Sequence, residues 1–150
     1  TDLAHAVQAL GRVGLDEVAG YLQWGMGDWK IQGQPVSEIP QVSVHDLATM
    51  KEEQADLLIV DVREPFEWDE GHIEGAFHLP MGEAVRRLAE LHAGRPTAVL
   101  CAGGLRSSLG NSALAREGMA ARWYNVAGGM GMWLRAGHPT VKAGGTPARA

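Results

Sequence analysis

One cysteine, Cys101, is all the sequence offers, which excludes an intramolecular disulfide and any zinc site built from several cysteines. A reducing, cytoplasmic setting suits such a chain. Basic residues are in deficit, 13 Lys and Arg against 18 Asp and Glu for a formal charge of −5. They gather into no patch, so nucleic acid and anionic membranes are poor partners. No apolar run approaches the ~20 residues needed to cross a bilayer. Aromatic residues make up only 6% of the chain. Glycine is what abounds, 20 among 150 residues, about double the usual ~7%. That excess points to tight turns and close backbone approaches. The apolar share of 45% and charged share of 21% are those of a globular chain. Its length suffices for one ordinary domain that buries a core without disulfide or metal.

The sequence carries an internal repeat. Gly25-Met26-Gly27-Asp28-Trp29, followed by Gly33-Gln34-Pro35, returns as Gly129-Met130-Gly131-Met132-Trp133, followed by Gly137-His138-Pro139. In the same register Leu10, Arg12 and Gly14 match Leu114, Arg116 and Gly118. Trp, Met and Pro matching together argue against coincidence in a glycine-rich chain. Residues 1–36 therefore read as the tail of a first domain that lacks the chemistry-bearing part, and residues 41–141 as a whole domain. Residues 37–40 form the linker, and residues 142–150, small residues and proline, a flexible tail. The tail of the first domain is expected as a helix near 2–13, a strand near 18–22 and a helix near 26–32. Trp29 and Trp133 are expected as core anchors.

Within 41–141, Ser43-Val44-His45-Asp46 has capping-box spacing and opens a helix to about Lys51. Leu57 to Val60 is a continuous apolar run, a strand buried on both faces. A short strand is expected near Ala76 to His78. Met81, Val85, Leu88 and Leu91 lie at helical spacing, with Gly94 as C-cap. Thr97 to Leu100 is the next strand, Ser107 to Glu117 a helix, Arg122 to Val126 a strand and Met130 to Ala136 a short helix. Strands alternating with helices predict an α/β fold of three layers, a mostly parallel sheet of about five strands with helices on both faces. In such sheets ligands sit outside the carboxyl ends of the strands. Cys101 stands at one.

The segment Val99-Leu100-Cys101-Ala102-Gly103-Gly104-Leu105-Arg106-Ser107 carries chemistry in its order. A cysteine leaves a strand, two glycines let the backbone curl so that successive N–H groups converge, and a helix N-terminus follows. Arg106 adds a full positive charge. A free thiol of pKa ~8.5 is only about 3% thiolate at pH 7, and a depression of about two units makes it mostly thiolate. That depression needs about 2.7 kcal/mol of differential stabilisation, within reach of several N–H dipoles and a cation. His72 and His78, on an irregular stretch with no third ligand nearby, read as turn-bracing residues, so no metal is expected.

CAGGLRS from Cys101 to Ser107 resembles the active loop of the rhodanese (sulfurtransferase) family. DVREPFEWDEGHIEGAFHLP from Asp61 to Pro80 is similar to that family's first signature, and GGMGMWLRAGHP from Gly128 to Pro139 to its terminal one. The remnant over 1–36 carries a terminal-type signature alone. Its wording, GRVGLDEVAGYLQWGMGDW, looks most like rhodaneses fused behind a metallo-β-lactamase-like domain, which is the upstream partner the resemblance implies.

What the resemblance implies is a sulfurtransferase that needs no cofactor. Cys101 would take a sulfane sulfur from thiosulfate or an organic persulfide such as glutathione persulfide, become a persulfide, and pass the sulfur to a thiol or cyanide acceptor. The N–H groups of Ala102, Gly103, Gly104, Leu105 and Arg106 would hold the persulfide anion, and Ser107 would donate a further hydrogen bond. Arg106 either binds donor anions or braces the loop through a salt bridge. Asp61 and Arg63 would support the site rather than react. Family loops that favour thiosulfate often carry extra cations after the cysteine. Ala102, Gly103 and Leu105 are neutral here, so an organic persulfide is the expected donor. Two rivals stand beside this reading. One is a non-catalytic module of the same fold used for protein contacts or regulation, which a fast-alkylating Cys101 would exclude. The other is a cysteine-dependent phosphatase or arsenate reductase, whose loop is one residue longer than the four residues between Cys101 and Arg106.

Overall fold

The computed structural model describes residues 2–12, 17–84, 86–87, 90–91, 94–116 and 122–142, and it divides into two compact units, Thr1–Ser37 and Glu38–Ala150. In the first unit, α1 (Leu3–Gly11) is capped by Asp2, whose carboxylate accepts the Ala4 N–H at 3.0 Å. A second helix, α2, covers Gly25–Ile31. The strand expected near 18–22 does not form; residues 17–22 are irregular. A strand needs a neighbour to take its N–H and C=O groups, and the described residues of this unit hold no other strand. Trp29 also departs from its expected role as a core anchor. It is half-buried, no residue of α2 is buried, and Trp24 and Ile31 are 74% and 84% exposed.

The second unit carries the sheet. Its strands are β1 (Gln41–Val42), β2 (Leu58–Asp61), β3 (Phe77–His78), β4 (Pro96–Leu100) and β5 (Arg122–Val126), in the spatial order β1-β5-β4-β2-β3. Every neighbouring pair is parallel. The helices are α3 (Val44–Glu53), α4 (Pro65–Glu70), α5 (Leu105–Arg116) and α6 (Gly129–Arg135). This is the α/β sheet the alternating pattern predicts.

Alternation along the strands builds two cores. Leu58, Val60, Val99 and Trp123 face one way and pack with Val62, Leu79, Leu91 and Cys101. Ile59, Ala98, Leu100 and Val126 face the other way and meet Val44 and Leu47 of α3 and Met130 and Trp133 of α6. Both faces being covered is why β2 carries the run Leu58 to Val60 and β4 the run Ala98 to Leu100 without alternation. The capping box of α3 is present: the Ser43 N–H donates to the Asp46 carboxylate at 2.9 Å and the Asp46 N–H to Ser43 Oγ at 3.1 Å.

Two elements differ from the pattern. The segment from Met81 starts as a 3-10 turn, Met81–Glu83, not as the opening of an α-helix. The Met81 N–H is drawn to the Val62 carbonyl at 3.2 Å, and Gly82 is a poor helix former. Val85 and Leu88, which carried the periodicity, lie outside the described residues, as do Glu117, Gly118 and 143–150. The other difference, the start of α5, shapes the site. This helix begins at Leu105, two residues before Ser107, because Gly104 takes φ +101° and its carbonyl accepts the Ser108 N–H at 3.2 Å.

Candidate active site

Strands β2 and β4 end side by side, with Asp61 opposite Leu100 and the Val62 N–H donating to the Leu100 carbonyl at 3.0 Å. Cys101 is the first residue beyond β4. Its residue surface is only 1% exposed, yet its sulfur is not left among hydrocarbon alone. The Gly104 N–H donates to Cys101 Sγ at 3.1 Å, and the Ser107 hydroxyl lies 3.5 Å from the same sulfur. That hydroxyl is also 3.1 Å from the Gly104 carbonyl, so one proton has two acceptors and can follow the sulfur when it ionises.

The early start of α5 puts Ser107 in its first turn, so the helix N-terminus reaches closer to the sulfur than the sequence suggests. Burial pushes the Cys101 thiol up, and hydrogen bonds from the Ser107 hydroxyl and from the N–H groups of Ser107, Gly104 and Gly103 outweigh it, leaving the thiol below an ordinary cysteine. Removing the hydroxyl by Ser107→Ala is expected to move the midpoint of Cys101 alkylation to higher pH and slow alkylation at pH 7 about fivefold. A rate measured against pH checks it.

Helix α6 fixes the other side of the loop. The Met130 N–H donates to the Cys101 carbonyl at 2.8 Å and the Gly131 N–H to the Ala102 carbonyl at 2.9 Å. With their carbonyls held by α6, the loop peptides are free to aim N–H groups at the sulfur. This approach requires Gly129 at φ +51°, since a Cβ there would fall on the Cys101 carbonyl oxygen. The segments around Trp29 and Trp133, which match in sequence, share one local contact. Trp133 Nε1 donates to the Pro139 carbonyl at 2.9 Å, and Trp29 Nε1 to the Pro35 carbonyl at 3.0 Å. Trp133 is buried.

Asp61 and Arg63 do not reach the sulfur. They form a buried pair, with Arg63 Nη2 2.6 Å from Asp61 Oδ2 and Arg63 Nε 2.9 Å from both carboxylate oxygens. The rest of the Arg63 fork clamps α4, donating to the carbonyls of Glu67 at 2.9 Å and Gly71 at 2.8 Å. Asp61→Ala would leave the guanidinium charged and buried, which is expected to cost about 3–5 kcal/mol in urea unfolding. Beside this clamp, Trp68 stacks on His72 and on His78. Those histidines meet the carbonyls of Trp68 and Arg63 respectively.

Arg106 is engaged. Its Nη1 and Nη2 lie 2.6 and 2.7 Å from the two carboxylate oxygens of Glu67. The guanidinium holds the Glu67 carboxyl down to about 2, against the cost of its burial. A depressed carboxylate stabilises the fold above its unfolded value near pH 4.5, and that contribution fades as pH falls towards 2. The loop's one cation is thus tied to α4, the bracing alternative. Leu105 at the same corner is 77% exposed.

Residues 43–136 match the model of the rhodanese-like domain. The chain belongs to the rhodanese-like family. It is 31% identical over 103 residues to a protein named sulfurtransferase from Allochromatium vinosum, covering 69% of this chain and 95% of that one. It is 32% identical over 97 residues to the putative sulfur carrier protein YrkF of Bacillus subtilis, where the match covers 65% of this chain and only 52% of the relative. The chain therefore spans about half the length of that relative. A crystal structure of a rhodanese-related protein from Thermoplasma volcanium superposes with a TM-score of 0.63 at 29% identity, covering 69% of this chain and 99% of that one.

Two contributors to this rhodanese-like site escape a reading of the sequence. Glu67 lies far from Cys101 in the chain, and only its place one helical turn inside a helix that follows Asp61 and Arg63 hints at a role. The N–H groups of Met130 and Gly131 leave no side-chain signal. The adjacent Gly128 and Gly129 at the end of β5 are the trace they leave.

Proposed function

We propose that this chain is a sulfurtransferase that carries a sulfane sulfur on Cys101. The observation that carries the reading is the Gly104 N–H aimed at Cys101 Sγ, in a loop that adds the Ser107 hydroxyl and the first turn of α5. Family membership adds support. The Cys101 thiolate attacks the outer sulfur of a donor R–S–S⁻; the new S–S bond forms as the old one breaks, and RS⁻ leaves with the electron pair. With thiosulfate the leaving group is sulfite. The outer sulfur on Cys101 then bears the negative charge, and the loop N–H groups suit it as an oxyanion hole suits oxygen. A thiol or cyanide acceptor removes that sulfur and restores the thiolate. With no second cysteine among these 150 residues, the acceptor comes from outside them.

An organic persulfide such as glutathione persulfide fits this site better than thiosulfate, because the only cation of the loop, Arg106, is already held by Glu67. A reducing cytoplasmic setting matches a working free thiol. Residues 1–36 we read as the tail of a second domain of the same family, on the repeat in the sequence and the shared Trp–Pro hydrogen bond. Its wording extends that reading to an upstream metallo-β-lactamase-like domain.

The test is the intact mass after incubation with glutathione persulfide and, separately, with thiosulfate. Gain of one sulfur atom, absent in Cys101→Ala, is expected and is faster with the persulfide. An unchanged mass with both donors would overturn the proposal, and faster loading from thiosulfate would overturn the donor assignment.

A further inference from the structure

We propose that Glu67 is the specificity-determining residue of the site: by neutralising Arg106 it discriminates against compact dianionic sulfur donors in favour of donors with a single charge beside the transferable sulfur. The inference rests on the sulfur-transfer reading above. Arg106 is the one cation between Cys101 and Ser107, and both ends of its fork are taken by the two oxygens of Glu67. A bidentate pair leaves the guanidinium little capacity to hold a second anion face-on.

Glu67 is not a surface carboxylate that happened to meet an arginine. The Glu64 N–H donates to its Oε2 at 3.0 Å, and its own carbonyl is gripped by Arg63, which is locked on buried Asp61. The side chain is 17% exposed and Arg106 is 36% exposed, so the pair is partly open to solvent and not sealed in the core. The chain neighbours of the two residues, Phe66 and Leu105, are 68% and 77% exposed, which gives that corner an apolar rim. Thiosulfate brings two charges on one small ion. An alkyl persulfide brings one charge at the reacting sulfur and a carbon body beside the rim. Against an Arg106 already paired with a carboxylate, the dianion gains little for its second charge. Freed of Glu67, Arg106 would reward that charge about tenfold in a part-exposed setting.

The experiment measures the second-order rate of sulfur loading on Cys101, by quenched intact mass, with thiosulfate and with glutathione persulfide. Glu67→Gln is expected to raise the thiosulfate-to-persulfide rate ratio about tenfold. Leu105→Lys adds an unpaired cation at an exposed position and is expected to move the ratio in the same direction, so the charge account stays exposed to refutation even if Glu67→Gln folds poorly. Were Glu67 only a brace for the loop, both donors would slow together. An unchanged ratio in the variants overturns the inference alone. Loading of the wild-type chain by neither donor overturns both the inference and the sulfur-transfer reading beneath it.

Discussion

Cys101→Ser is expected to lower sulfur loading and turnover by about a thousandfold or more, with the fold intact. A hydroxyl at the same place is weakly acidic, and the N–H groups that lower a thiol cannot bring it near neutrality. The chain holds no other cysteine to take over. The steric change is small, and the Gly104 N–H and Ser107 hydroxyl can bond to oxygen as they do to sulfur. Thermal unfolding should therefore stay within a few degrees of the parent while the mass shift and turnover disappear. Residual transfer at a tenth of the parent rate would mean that the donor reacts elsewhere.

Gly129→Ala is expected to damage both stability and activity through the packing of α6 on the Cys101 loop. Gly129 has φ +51°, and its missing Cβ is what lets α6 lie against the Cys101 carbonyl. An alanine must push α6 away from the loop, breaking the bonds from Met130 and Gly131 to the carbonyls of Cys101 and Ala102. A cost of about 2–4 kcal/mol in urea unfolding follows from the strain and the lost contacts. Sulfur loading should fall at least tenfold at a temperature where the variant is fully folded, because the loop carbonyls are no longer anchored. The corresponding Gly25→Ala makes a useful contrast. Gly25 has φ +65° but open space around its Cβ position, so only the backbone strain, about 1 kcal/mol, applies.

The sheet was legible because its strands are buried on both faces. Leu57 to Val60 and Ala98 to Leu100 have no polar interruption, and a short apolar run bounded by polar and glycine-rich segments is what a parallel strand covered on both faces requires. The capping box at Ser43 was legible for a local reason, since both partners lie within one turn. The position of Cys101 at a strand end followed from the apolar run before it and the glycines after it. Other features lay beyond local pattern. The strand expected near 18–22 had the right composition but no neighbour to pair with, and pairing is not encoded in five residues. The α5 start depended on Gly104 adopting φ +101°, which composition permits but does not dictate. The Glu67–Arg106 pair joins two elements through the sheet order, which brings β2 beside β4. From sequence, Arg106 had two roles open, and only the distance to Glu67 separates them.

If the loop around Cys101 stabilises negative charge on its sulfur, the pH dependence of alkylation by iodoacetamide must show it. These 150 residues carry one thiol, so the rate reports Cys101 alone. The expected midpoint lies clearly below that of an unactivated cysteine, ~8.5, with alkylation at pH 7 well above that of a free thiol. A midpoint at or above that of the free thiol would show that burial prevails over the converging N–H groups and that the loop does not activate Cys101.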